Sequence, residues 1–407
     1  MKLLKRIVNL VYDNYREIYL ATLIAYLAIV IMSNTNLTVS IFFDFTDTLQ
    51  NVMKVLRYLT YLIFILLIAV AGIKKITDTK KIALFGTVFM ISTLISHNTL
   101  CMIFYLIIVA GAPLNNKDKL KTYLMVQALL VLGVVGLSSI DIIPDYIFDP
   151  GVRNRYSLGF TWTTYVPGAF LFIIMNTLLL QEDKANSIQI LYILFVAILL
   201  FILTDTKFVF IVQMIFLVGM LVKKKVDFSL LKVFLKKYRK LISLLPFVLL
   251  VCILGASYFY DVNNSLLVTL NQMLSNRLSL GNEAIQNYGI TMLGNNIEWV
   301  GNTIGNINAE AYNFVDSSYL KYLLNYGVIP TLLLCCGYYY LTNNAIKNNQ
   351  FNLTFILVLI QIYSLFEPRL YELCFNPFIL LLGDYFMNCN ESRKGTSNEK
   401  NINRVCD

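Results

Sequence analysis

Four basic side chains and two carboxylates stand in polar segments at the edges of long apolar runs, and their types suit anion binding and proton transfer. Arg153 and Arg155 lie two residues apart in GVRNRYSLGF, residues 151–160, just before the chain re-enters an apolar run. Arg277 sits in SNRLSLGNEAIQNYGITMLG, and Lys207 closes the short turn TDTK. Guanidinium suits phosphate because its planar fork donates paired hydrogen bonds and stays ionised, whereas an ammonium supplies charge without the fork. Asp316 opens VDSSYLKYLLNYGVIP, and Glu367 stands in FEPRLYELCFNPFILLL. A carboxylate within hydrogen-bond reach of a hydroxyl can act as its general base. Asp316 is the first choice for that role, with Glu367 and Glu298 as the alternatives. Each residue also has an ordinary reading. Asp316 ahead of Ser-Ser-Tyr has the makings of a helix N-cap. Glu367 can pair with Arg369, and arginines can simply hold loops or lipid headgroups. His97, the only histidine, lies in a tight SHN turn and reads as a turn residue.

The elements that must position these residues are apolar helices. With 57% hydrophobic and 14% charged residues, the composition excludes an ordinary soluble globular chain. Apolar runs of a length that crosses a ~30 Å hydrocarbon core recur throughout. They predict twelve spans, at about 18–33, 56–73, 82–96, 98–113, 121–140, 160–180, 188–204, 207–222, 241–259, 318–341, 351–366 and 374–387. The expected fold is thus an all-α polytopic membrane protein with a single transmembrane domain, residues 1–387. A polar, disordered cytoplasmic tail follows over 388–407. The N-terminus is basic and then apolar like a signal peptide, but it lacks a small-x-small cleavage site and reads as a retained anchor.

Charge supplies the orientation. With the N-terminus inside, 25 of the 33 Lys and Arg residues fall on the inner side, eight of them within 223–240. This asymmetry places both termini in the cytoplasm. The net charge of +9 then reports topology rather than nucleic-acid binding. Arg153, Arg155, Lys207, Arg277, Lys321 and Arg369 become outward cations. The largest outer segment, about 260–317, repeats Leu266, Leu270, Met273/Leu274 and Leu278 at helical spacing, which predicts an interfacial amphipathic helix carrying Arg277. Trp162 and Trp299 suit the membrane interface. Gly159, Gly281, Gly289, Gly294, Gly301 and Gly305 would let backbone approach a ligand closely, or merely turn a loop. The seven cysteines form no CxxC pair or Cys/His cluster, so they read as small apolar residues rather than zinc or iron–sulfur ligands. No internal repeat, nucleotide-binding glycine pattern or coiled coil is present.

RNRYSLGF, SNRLSLGNEAIQNYGITMLG and VDSSYLKYLLNYGVIP, in that order and together with TDTK and FEPRLYELCFNPFILLL, resemble the Wzy-type oligosaccharide repeat-unit polymerases. These are similar to the O-antigen ligases and share a polytopic, GT-C-like architecture. The resemblance covers most of the chain in layout and about 60 residues in motif. It implies a glycosyltransferase of the bacterial cytoplasmic (inner) membrane with its site facing outward. A growing glycan would move from undecaprenyl diphosphate to a hydroxyl of a fresh lipid-linked repeat unit, building capsule, exopolysaccharide or O-antigen. It implies no metal, no nucleotide sugar and no cofactor. The implied partners are undecaprenyl-diphosphate-linked oligosaccharides, membrane lipids, a chain-length regulator and a flippase, with no nucleic acid. The resemblance also carries diphosphate binding to Arg153, Arg155 and Arg277. Lys207 stands where relatives often have arginine. Asp316 stands where the related ligases carry a histidine in an H-x-x-(Y/L)-L pattern, and an acidic residue recurs in the family at Glu367's place.

Three other classes fit the hydropathy. A lipid-linked oligosaccharide flippase or transporter would hold ionisable groups within its spans, where Asp384 is an exception to their general absence. Another polyprenyl-phosphate-sugar-dependent glycosyltransferase would use an acid in the first outer loop, where Asp44 and Asp47 lie. An O-antigen ligase is disfavoured by the absent histidine.

Overall fold

A computed structural model gives an all-α, multi-helix protein, described for residues 2–39, 43, 45–148, 153–182, 184–226, 229–301 and 312–388. Asp44, Gly305 and the tail beyond 388 lie outside these residues. The chain forms two compact units, one of Met1–Phe89, Met102–Leu180 and Leu373–Asp407, the other of Met90–Cys101 and Gln181–Glu372.

The first unit is built from α1 (Lys2–Asp13), α2 (Tyr15–Met32), α3 (Thr46–Ile73), α4 (Thr79–Ser96), α5 (Leu100–Ala110), α6 (Asn116–Ser139) and α7 (Tyr165–Gln181). The unit boundaries fall within α4 and at the ends of α5 and α7. Between α6 and α7 a short antiparallel hairpin pairs β1 (Ile147–Phe148) with β2 (Arg155–Tyr156), and a 3-10 helix over Pro377–Phe386 completes the unit. Helix α2 packs on α3 and α6 through Tyr19, Leu23, Tyr26, Leu27 and Ile31, a stripe at helical spacing. The hydroxyls of Tyr15 and Tyr19 donate to the carbonyls of Ala110 and Ile107, 2.8 and 3.1 Å away. These carbonyls belong to the last turn of α5, where intrahelical partners run out. The buried Lys119 donates to Gly111 and Leu380 carbonyls at 3.1 and 3.2 Å. Asp384 accepts a 2.8 Å bond from Asn116, so the acid within the final span has a local partner.

The second unit contains α8 (Ser187–Thr204), α9 (Lys207–Lys225), α10 (Ser229–Lys237), α11 (Arg239–Ser243), α12 (Leu245–Tyr258), α13 (Ser265–Met273) and α14 (Arg277–Tyr288). Helices α15 (Ser318–Tyr326), α16 (Val328–Lys347) and α17 (Phe351–Tyr363) follow. Helices α8 and α9 form the expected tight hairpin, turned by Asp205 in the left-handed region at φ 44°. Helix α16 packs on α11, α12, α15 and α17, and α14 lies on α12 and α15.

Among the described residues five helices, α2, α3, α4, α6 and α8, are long and apolar enough to cross a bilayer. Large apolar side chains stand exposed along them, among them Ile188 and Ile202 of α8 and Leu129 and Leu132 of α6. Surface of this kind calls for lipid rather than water. The molecule has the architecture of a multi-pass membrane protein. Several other expected spans are interrupted. The ninth breaks at Leu244 into α11 and α12, and the twelfth is a 3-10 helix of 10 residues. The tenth breaks at Gly327, whose φ is 87°. There the amides of Val328 and Ile329, which lack intrahelical partners, donate to the carbonyls of Thr291 and Met292 at 2.9 and 3.1 Å, fastening the segment after α14 to the start of α16. A Cβ on Gly327 would lie 2.5 Å from the Leu293 and Gly294 amide nitrogens, and one on Gly294 (φ 105°) would strike the Asn325 carbonyl.

Candidate functional site

Arg277, Asp316 and Glu367 come together in the second unit from three separate stretches of chain. Arg277 is the first residue of α14, following Ser275 and Asn276, both in the left-handed region. Asn276 gives α14 no side-chain cap; Asn271 of α13 does that work. Its side-chain oxygen accepts the amides of Leu278 and Ser279 at 3.0 and 3.1 Å, while its Nδ2 donates to Tyr260 and Ser279 hydroxyls. Gly281 then lets α14 press on α12 and α15, since a Cβ there would meet Ser257 at 2.6 Å and Leu320 at 3.0 Å.

The carboxylates are positioned by Ser318. Its amide donates to the Ser364 carbonyl at 3.0 Å, and its hydroxyl donates to the Glu367 carbonyl at 2.6 Å while accepting the Leu370 amide at 3.1 Å. The start of α15 is thus tied to the connection after α17, with Asp316 and Glu367 side by side. Asp316 does not cap the helix. The N-cap position belongs to Ser317, and the Asp316 carboxylate turns to Arg277, with Nε 3.2 Å from Oδ2. The other arm of the guanidinium reaches Glu367, Nη2 to Oε1 3.6 Å. Glu367 therefore faces Arg277, while Arg369 pairs with Glu372 at 2.8 Å. Lys321 lies within electrostatic reach of Glu372, Arg369 and Asp316, and its ammonium sits 4.2 Å from the centre of the Phe314 ring.

Burial decides the chemistry of this group. The Glu367 side chain is 8% exposed and that of Arg277 18%. Loss of hydration, reinforced by the neighbouring Asp316 charge and opposed by Arg277, pushes the Glu367 carboxyl up to about 7. Tyr312 feels the same groups: burial, then Asp316, push its hydroxyl up to about 12, with Arg277 acting against them.

No protein-family model, curated protein or solved structure matches this chain. Its chemistry therefore rests on the cluster itself. Arg277, Lys321 and Arg369 oppose Asp316, Glu367 and Glu372, a balance of charges that turns net positive once Glu367 takes up a proton. Such a group can bind an anion on its guanidinium and accept a proton nearby.

The remaining candidates are positioned by other elements. Lys207 is exposed at the start of α9, and the next residue, Phe208, stacks on Tyr363 and meets Phe366, so Lys207 shares the helix end of Glu367. Arg153 and Arg155 belong to the first unit. Arg155 pairs with Phe148 across the hairpin, which Asp145 braces by accepting the Ser157 hydroxyl and Leu158 amide, each at 2.8 Å. Glu298 and Asp47 are exposed, and exposed His97 occupies its turn at φ 51°. Tyr312, Asn271 and Ser318 carry no signal in the sequence for the places they take here. The order VDSSYL does place Ser318 two residues after Asp316, but nothing in its type announces a bridge to residue 367.

Proposed function

We propose that this protein is a Wzy-type oligosaccharide repeat-unit polymerase of the bacterial cytoplasmic membrane, acting at the outer leaflet. The observation that carries the reading is Arg277 held between two carboxylates at the shared end of α14, α15 and α17. In the proposed reaction an acceptor hydroxyl oxygen attacks the anomeric carbon of the donor glycan. The bond from that carbon to the phosphate oxygen breaks, and its electron pair leaves with undecaprenyl diphosphate. Arg277 offsets the charge that builds on this leaving group. The hydroxyl proton passes to Glu367, whose raised affinity for protons suits a base working near neutrality. Asp316 holds the guanidinium until the diphosphate displaces it. Lys207, Arg153 and Arg155 keep the phosphate-binding roles that the resemblance implies for them.

The finer architecture belongs to the same proposal: about twelve crossings in a GT-C-like arrangement, both termini cytoplasmic, and the segment 260–317 outside. The broken helices support it, since α11 with α12 supply the rise of one crossing at about 1.5 Å per residue and α16 supplies it alone.

The test supplies the purified protein in vesicles with undecaprenyl-diphosphate-linked repeat units and resolves the products on a gel. A ladder is expected, and Arg277→Ala should leave single units unextended. Translocated but unextended substrate would mark a carrier instead and end the proposal.

A further inference from the structure

Helix α10 takes no part in the ionic cluster. It packs on α11 and α16 near Lys347–Phe351, the opposite end of α16 and α17 from Glu367. None of its side chains is buried. Leu230, Val233 and Phe234 are 83%, 65% and 52% exposed, and helical geometry sets all three on one side with Lys237 among them. On the other edge Lys232, Leu235 and Lys236 line a shallow, open groove against Ile346, Gln350 and Phe351. The surrounding stretch 223–240 carries eight basic residues and a single acid, Asp227.

An exposed apolar face framed by lysines is unfavourable both in water and deep in hydrocarbon. It fits the boundary between the two, where acyl chains cover the apolar side and anionic headgroups neutralise the cations. We propose that α10 lies in the headgroup layer of the membrane, bound to anionic phospholipid. In this arrangement Leu230, Val233 and Phe234 enter the acyl region, and Lys232 and Lys236 hold a lipid phosphate at the groove. Lys237 contacts a second headgroup. The charge complementarity chooses this occupant, and the inference stands apart from the reaction proposed above.

Native mass spectrometry of the full-length protein, exposed to equal amounts of phosphatidylglycerol and phosphatidylcholine, tests the site. Phosphatidylglycerol should be retained about 25-fold over phosphatidylcholine, since each of the two groove lysines contributes roughly fivefold in affinity near an anionic surface. In the combined Lys232→Gln, Lys236→Gln and Lys237→Gln variant the two lipids should be retained about equally. Equal retention by the unaltered protein, or an undiminished preference in the variant, overturns the proposal. So does a lipid-free dimer that Leu230→Ser with Phe234→Ser dissociates, because a second copy would then cover this face. A second readout uses Phe234→Trp in vesicles of the two lipids carrying brominated acyl chains. Its added emission should be quenched, and unquenched, water-like emission overturns the proposal equally.

Discussion

A single guanidinium shared by two carboxylates makes the residues interdependent, and the sign of each dependence can be worked out. Protonated Glu367 cannot accept a proton, so the elongation rate should rise with pH through about 7. Asp316 raises the Glu367 affinity for protons, so Asp316→Asn should move that limb to lower pH. Arg277 lowers the affinity, so Arg277→Lys, which keeps the charge but loses the fork, should keep a limb near its place while slowing turnover. Glu367→Gln should remove the limb and cost roughly 10²–10⁴-fold in rate. A pH–rate series on the four proteins checks all of these. Linkage gives the matching stability effect. The folded state holds this proton more tightly than a free carboxylate does, so stability falls as pH rises from the ordinary carboxylate range through about 7. Glu367→Gln should flatten that slope in thermal melts. The members of the trio could be chosen from sequence by type and by their place beside apolar runs. Their pairing could not. Glu367 and Arg369 are two residues apart, but Ser318 fixes the path of the intervening backbone so that the two side chains find different partners.

At the scale of elements, the decisive features are breaks. Apolar periodicity runs unbroken through 266–278 and 318–341, and both are interrupted by residues with positive φ: Ser275 and Asn276 in one, Gly327 in the other. A repeat of side-chain character carries no signal for a change of backbone hand in a polar residue, so these breaks were not legible. The TDTK hairpin was, because four polar residues between two long apolar runs leave little choice. Two substitutions probe the breaks. Asn271→Ala removes the acceptor for two amides at the start of α14 and should cost about 1 kcal/mol. It should also reduce elongation, since Arg277 is the first residue of that helix. Gly294→Ala places a methyl group against the Asn325 carbonyl at φ 105° and should lower the melting temperature. Faster proteolysis between 289 and 301 would show that the segment after α14 has come loose.

Over the whole molecule, composition announced an apolar, helical, many-times-crossing chain, and charge distribution suggested its orientation. Helix count was less accessible, because an apolar run reveals length along the sequence rather than rise. A run broken by Pro246 or Gly327, or wound as a 3-10 helix, reads like any other. Reporter fusions at residue 263 and residue 227 should report opposite sides of the membrane, the first outside and the second in the cytoplasm. The mutual neutralisation around Arg277 bears on which anions the cluster takes up. A guanidinium without such partners would bind any free orthophosphate. With Asp316 hydrogen-bonded to Nε and Glu367 3.6 Å from Nη2, the resting protein should ignore millimolar orthophosphate and yield only to a rival whose paired phosphates and anchored tail displace both internal partners at once.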